Sequence, residues 1–119
     1  MRPRTLLAQA LVPDTRKALR LYRSGDEYAI KIMGRGDLMT SRAFDSEKDL
    51  ATLTCALVST RDRPRLLVAG LGMGFTLRAT LDASTERAEV VVAELVPDVV
   101  TWNEEILGHL AGHPLRDPR

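Results

Sequence analysis

The residues with the clearest chemical potential are the glycines of Ala69-Gly70-Leu71-Gly72-Met73-Gly74 and the carboxylate of Glu94. The apolar run Arg65-Leu66-Leu67-Val68-Ala69 leads into the glycines, and a second run, Val90-Val91-Val92-Ala93, ends on Glu94. Glycine lets a chain turn sharply after a strand and lets backbone N–H groups approach a ligand. The helix start that follows such a turn offers unpaired N–H donors. A carboxylate at the tip of the next strand can accept hydrogen bonds from the two hydroxyls of a ribose. Glu94 lies 20 residues beyond Gly74 (94 − 74), about where that acid falls in nucleotide-binding β-α-β units.

These residues need elements to hold them. A strand is expected at 65–69, a helix from about 74 to 83 with Leu77 and Leu81 inward, and a strand at about 89–94. Pro97 suits the first turn of a further helix, with Val99, Trp102, Ile106 and Leu110 on its buried face and Gly108 and Gly112-His113-Pro114 ending it. Upstream, residues 46–59 read as a helix. Leu50, Leu53, Leu57 and Val58 repeat at helical spacing, and Ser46 with Asp49 fits a capping box. Residues 18–42 alternate as a β-meander, with turns at Ser24-Gly25-Asp26 and Gly34-Arg35-Gly36-Asp37. Leu6, Leu7, Ala10 and Leu11 suggest a short helix ended by Pro13-Asp14. Thr60 to Pro64 is a polar break before the first parallel strand.

Composition narrows the function classes. A 119-residue chain that is 45% hydrophobic can bury a core, and with 4% aromatics that core must be aliphatic. A net charge of +1 argues against a nucleic-acid partner. Arg2, Arg4, Arg16, Lys17, Arg20 and Arg23 crowd the first 23 residues against Asp14 alone, which reads as a solvated face. Cys55 is the single cysteine, so no intrachain disulfide forms; this fits a cytoplasmic location, and its apolar setting reads as packing. No segment reaches membrane-spanning length, so no membrane partner is expected, and the apolar run near the N-terminus is too short for a signal-peptide core.

The glycine pattern is Gly-x-Gly-x-Gly, with Phe75 where a dinucleotide fingerprint has its third glycine. No Gly-Lys-Ser/Thr follows, which excludes a P-loop. His109 and His113 share a helical spacing but lack a third ligand, so no metal is expected. Arg35-Gly36-Asp37 reads as a hairpin turn.

The sequence resembles the spermidine synthase-like proteins of the class I S-adenosylmethionine-dependent methyltransferase fold. The resemblance is carried by Leu38-Met39-Thr40-Ser41-Arg42 with Ser46-Glu47, by Val68 to Arg78 through the glycine loop, by Val92-Ala93-Glu94-Leu95-Val96-Pro97, and by Trp102-Asn103 and Asp117-Pro118-Arg119. It implies an α/β protein with a small antiparallel meander over 1–45. Over 46–119, with its leading helix, it implies the first β-α-β-α part of a Rossmann-like nucleotide-binding sheet. It further implies that Gly70, Gly72, Met73 and Gly74 line a nucleoside-thioether pocket and that Glu94 holds the ribose. The ligand would be S-adenosylmethionine, its decarboxylated form or the thioether product, without a metal. Aminopropyltransferases of this kind usually have an aspartate in the loop, where this chain has Met73, and a Tyr-His-Glu segment where it has Asp45-Ser46-Glu47. Their amine-deprotonating aspartate sits on a strand beyond Arg119, so an adenosyl-binding unit without its own transferase base is expected. The alternative is a non-catalytic nucleoside-binding or self-assembling module. Open sheet edges at 65–69 and 90–92 predict association with itself or a partner.

Overall fold

The computed structural model describes residues 2–119. It is a mixed α/β protein of two compact units, one running to Ala43 and the other from Phe44 to Arg119.

The first unit is a four-stranded antiparallel sheet in the order β1-β2-β3-β4, with β1 Thr5–Leu11, β2 Ala18–Ser24, β3 Glu27–Ile32 and β4 Asp37–Thr40. Its registers sort side chains by face, because successive residues of a strand point to opposite sides. Ala8, Leu21, Ile30 and Met39 form one row across the four strands. Leu21 and Ile30, at its centre, are almost wholly buried. The opposite face carries the row Gln9, Arg20, Lys31 and Asp37. There the Arg20 Nε donates to Gln9 Oε1 at 2.8 Å, and Asp37 pairs with Lys31 and Arg4, both at 3.4 Å. The N-terminal basic residues thus include a solvated, internally paired face, as expected, and Asp37 of the Arg-Gly-Asp turn is held within it. Gly25, at φ +63°, begins the two-residue turn between β2 and β3, the position at which such hairpins favour glycine.

The expected helix over Leu6–Leu11 is instead β1. Its backbone pairs with β2 from Thr5↔Arg23 to Leu11↔Ala18, with a register shift between Leu6 and Ala8. Four apolar residues at helical spacing offered a short helix little to bury, whereas an antiparallel neighbour gives the strand's backbone a ladder of partners. Only Ala10 of β1 is buried.

The second unit comprises α1 Asp45–Leu57, β5 Arg65–Ala69, α2 Phe75–Ala83, β6 Glu89–Ala93 and α3 Pro97–Trp102. β5 and β6 pair in parallel, from Arg65↔Glu89 to Ala69↔Ala93. Leu66 and Val68 point into the core, with Val90 and Val92 half-buried beside them, while Leu67 and Val91 stand side by side on an exposed face. Cys55, Leu66 and Ala88 form a buried cluster to which Val58 and Val90 add.

Two expectations for α1 fail. Phe44, not Ser46, precedes the first turn, and Ser46 bonds to the neighbouring Glu47 rather than to a backbone N–H, so there is no capping box. The buried residues are Ala51 and Cys55, while Leu50, Leu53 and Leu57 are exposed. α1 packs on α2, and the Cys55 Sγ lies 3.8 Å from the Thr80 carbonyl. Small side chains allow that close approach, so the helix turns its leucines outward.

The predicted α3 face holds at Val99 and Trp102 and then shifts. Past Trp102 the helix widens into a π turn, Asn103–Leu107, followed by a 3₁₀ turn, Gly108–Ala111. The buried positions become Asn103, Leu107, Gly108 and Ala111 rather than Ile106 and Leu110. The longer i→i+5 repeat advances the inward face by one residue. A 3₁₀ turn at Pro114–Arg116 leads to Arg119, whose carbonyl accepts from the Val90 N–H at 3.0 Å. The β6 edge expected to be bare is therefore met at Val90 by the chain's own last residue. No helix among the described residues is long and apolar enough to cross a membrane.

Candidate functional site

β5 and β6 end side by side, and the glycine loop and Glu94 emerge from those ends. The last rung between them is the Gly70 N–H donating to the Ala93 carbonyl at 2.7 Å. Gly70 has φ +92°, and a Cβ there would meet no atom within 4 Å. Its glycine is required by backbone conformation, and the space beside it is open. Gly74, at φ +85°, directly precedes α2. A Cβ there would lie 3.1 Å from Pro114 Cγ and 3.3 Å from Asn103 Oδ1, so conformation and packing both select glycine. Between them the Gly74 N–H donates to the Leu71 carbonyl at 2.9 Å, closing the loop.

Glu94 braces this loop. Its Oε1 accepts from the Leu71 N–H and its Oε2 from the Val96 N–H, both at 2.9 Å. One half-buried carboxylate therefore ties the turn after β5 to the turn after β6. Five expected site residues, Gly70, Gly72, Met73, Gly74 and Glu94, lie in these two adjacent turns. Met73 differs from the rest, because the whole residue is buried. Phe75, the first residue of α2, stacks on Phe44 with ring centroids 4.7 Å apart, an aromatic pair that no spacing in the sequence announced.

The residue that sequence reasoning passed over is Asn103. It is buried, and its Nδ2 donates to the Gly72 carbonyl at 2.7 Å and to the Val99 carbonyl at 2.9 Å. An asparagine four residues after the inward Val99 was the available signal, since i and i+4 positions share a helix face.

Other candidates take structural places. Cys55 is buried, and burial pushes its thiol pKa up, the opposite of what a nucleophile needs. His113 lies past the helix end at φ +55°, after Gly112, so it no longer shares a helix face with His109. No group of three or more His, Cys, Asp or Glu side chains suited to a metal occurs among the described residues. Asp117 and Arg119 form a partly buried pair at 2.8 Å. The Arg119 Nη1 also donates to the carbonyls of Leu81 at 3.0 Å and Thr85 at 3.2 Å, closing the end of α2. Hydrogen bonds from the Arg119 side chain, then from its backbone N–H, hold the Asp117 carboxyl pKa down to about 2.

No protein-family model matches the sequence, and no curated protein matches it at a significant level.

Proposed function

We propose that the Phe44–Arg119 unit binds an adenosyl ligand through the glycine loop and Glu94, as the adenosyl-binding part of a Rossmann-like, spermidine synthase-like transferase fold. The observation that carries this reading is the Glu94 carboxylate lying against the glycine loop where two parallel strands end. In parallel α/β sheets, ligands bind beyond the carboxyl ends of the strands. An ionised carboxylate offers roughly four acceptor sites. The Leu71 and Val96 N–H groups use two of them, and the remainder suit a vicinal pair of ribose hydroxyls. The open space at Gly70 lets a ligand approach the backbone. The ligand class is S-adenosylmethionine, its decarboxylated form or the corresponding thioether, held without a metal.

Calorimetry with S-adenosylmethionine, decarboxylated S-adenosylmethionine and methylthioadenosine tests the reading. Binding that Glu94→Ala abolishes supports it; no binding at millimolar ligand removes it.

A second reading is a nucleoside-binding module that works by self-assembly. Leu53, Leu57, Leu67 and Leu95 are each more than two-thirds exposed, and β5 has a single strand neighbour among the described residues. Parallel sheets are ordinarily covered on both faces. Neither reading gives the chain a transferase base, so incubation with putrescine and decarboxylated S-adenosylmethionine is expected to yield no spermidine above the no-protein control, and spermidine above it would overturn that expectation.

A further inference from the structure

The chain's net charge of +1 conceals two opposite charges. Residues 1–43 carry nine basic side chains against four acids, a net +5, and residues 44–119 carry eight against twelve, a net −4. The boundary between the two compact units falls at the same place. A cationic excess confined to one unit is the electrostatic footprint of an anionic partner, which a whole-chain sum hides. Seven of the nine are arginines, whose planar fork meets two phosphate oxygens at once. Little of this charge is cancelled within the unit. Arg4 and Lys31 share Asp37, both at 3.4 Å, and Arg42 meets Glu27 at 2.6 Å. The other six basic residues pair with no carboxylate among the described residues.

The meander spreads the cations lengthwise. Antiparallel order puts the β1–β2 and β3–β4 turns, with Arg16, Lys17 and Arg35, at one end of the sheet, and Arg2, Arg4, Arg23 and Arg42 at the other. Arg20 and Lys31 pair in register between them on the polar face. At about 3.3 Å per residue, β2 makes this a track of roughly 20 Å. The same face is hollow. Arg4 precedes β1 and Asp37 opens β4, edges that a flat sheet holds roughly 14 Å apart and offset lengthwise. Their side chains nevertheless meet at 3.4 Å, so the sheet curls over its polar face. Beneath lies a cavity of about 240 Å³, lined by the cross-strand row Tyr22, Ala29 and Thr40 and by Arg4 and Arg42. It shares Arg4 and Arg42 with an open groove of about 960 Å³ that runs on to Arg2. The Lys31 Nζ stands 5.9 Å from the Tyr22 ring centroid. Asp26, Glu27 and Asp37 also line these spaces, but the ion pairs they make are solvent-exposed and weak, so a phosphate can take over their arginines.

We propose that the antiparallel unit binds single-stranded nucleic acid along its polar face, with phosphates on the arginines and a base in the cavity against Tyr22. A duplex major groove, about 12 Å wide, admits a helix or a two-stranded ribbon, whereas this unit offers a curled sheet of four strands. Single strands are held by a basic groove that tracks the backbone together with an aromatic ring on which a base stacks, and both occur here on one face. An acidic peptide has no flat base to set on Tyr22. The proposal stands apart from the adenosyl reading, which concerns the other unit.

The test is fluorescence anisotropy of a labelled single-stranded dodecanucleotide with the full chain, in a salt series starting at about 50 mM. Unlabelled duplex of the same sequence and polyglutamate serve as competitors. The expected result is binding that neither competitor displaces as well as the unlabelled single strand does. The slope of log affinity against log salt should fall by about 0.7 in Arg20→Gln and in Arg42→Gln, one phosphate contact each. Arg42→Lys keeps the charge and should keep the slope, as should Arg65→Gln and Arg87→Gln in the other unit. The Arg42 side chain is 73% exposed, so its variants leave the fold intact. Tyr22→Leu should weaken binding about fivefold or more without changing the slope, and Tyr22→Phe should not. No binding at high micromolar protein, or a slope unmoved in the Arg20 and Arg42 variants, overturns the proposal. So does a Tyr22→Leu affinity equal to the parent's. Equal competition by polyglutamate would assign the face to acidic peptides, and equal competition by duplex to phosphate backbones of any form; either result also overturns it.

Discussion

Replacing Glu94 with alanine should destabilise the Phe44–Arg119 unit even in the absence of ligand. The carboxylate accepts two N–H bonds of 2.9 Å, from Leu71 and Val96, and both of those residues are only 4% exposed. Hydrogen bonds to a charged group are worth about 1.5–3 kcal/mol each, and a donor left unpaired in a buried setting costs about 1–3 kcal/mol. Glu94 is only half-buried, so water can reach part of the vacated space. The two losses also share one side chain and do not add fully. A combined cost of about 2–4 kcal/mol follows. Unfolding entropy for a domain of this size converts each 1 kcal/mol into roughly 4–8 °C of Tm. Glu94→Gln should fall between parent and alanine, because the amide accepts at one end and presents N–H to N–H at the other. Glu89→Gln is the control: its partner Arg65 is 3.3 Å away, but the Glu89 side chain is 58% exposed, and such pairs contribute about 0–1 kcal/mol. Trp102, the only tryptophan, is buried in this unit, so its fluorescence in urea reports on the transition concerned. A Glu94→Ala loss below about 1 kcal/mol, no larger than that of Glu89→Gln, would refute the claim that Glu94 braces the loop.

In the antiparallel unit, Leu21→Ala should cost about 2–5 kcal/mol, since Leu21 is wholly buried in the central row; near-ultraviolet circular dichroism from Tyr22 and Tyr28, the only tyrosines, measures it. Asp117 predicts an acid-sensitive step. Its carboxyl is held down to about 2 in the folded protein, against about 3.9 unfolded, so its stabilisation is complete above about pH 4 and is lost as pH falls toward 2. Urea midpoints for Asp117→Asn should therefore converge on those of the parent over that interval, and a constant gap would show that the Arg119 pairing is not the cause. Leu53→Lys and Leu67→Lys, each on an exposed apolar face, should reduce association seen by light scattering across a concentration series; a parent protein that is monomeric at high micromolar concentration would rule association out.

Local pattern in the sequence determined much of the candidate site. The strand–glycine–helix–strand order, the inward Leu77 and Leu81, the hairpin at Gly25 and the distance from Gly74 to Glu94 depend on neighbouring residues and on fixed backbone periods, and all are present in the fold. Only the tertiary structure decided the rest. β1 is a strand because β2 lies beside it, a partner that residues 5–11 do not announce. α1 buries Ala51 and Cys55 rather than its leucines, because the distance to α2, not hydrophobicity alone, selects the face. Asn103 reaches Gly72 because the glycine loop lies against its helix, a neighbour 31 residues away that no local pattern announces, and the one-residue shift to Leu107 and Ala111 past the widened turn leaves no trace in a 3.6-residue pattern. Glu94 was legible as an acid at a strand tip, but its work on the loop's own N–H groups was not, because a side chain's partners across a turn depend on where two strands end relative to each other.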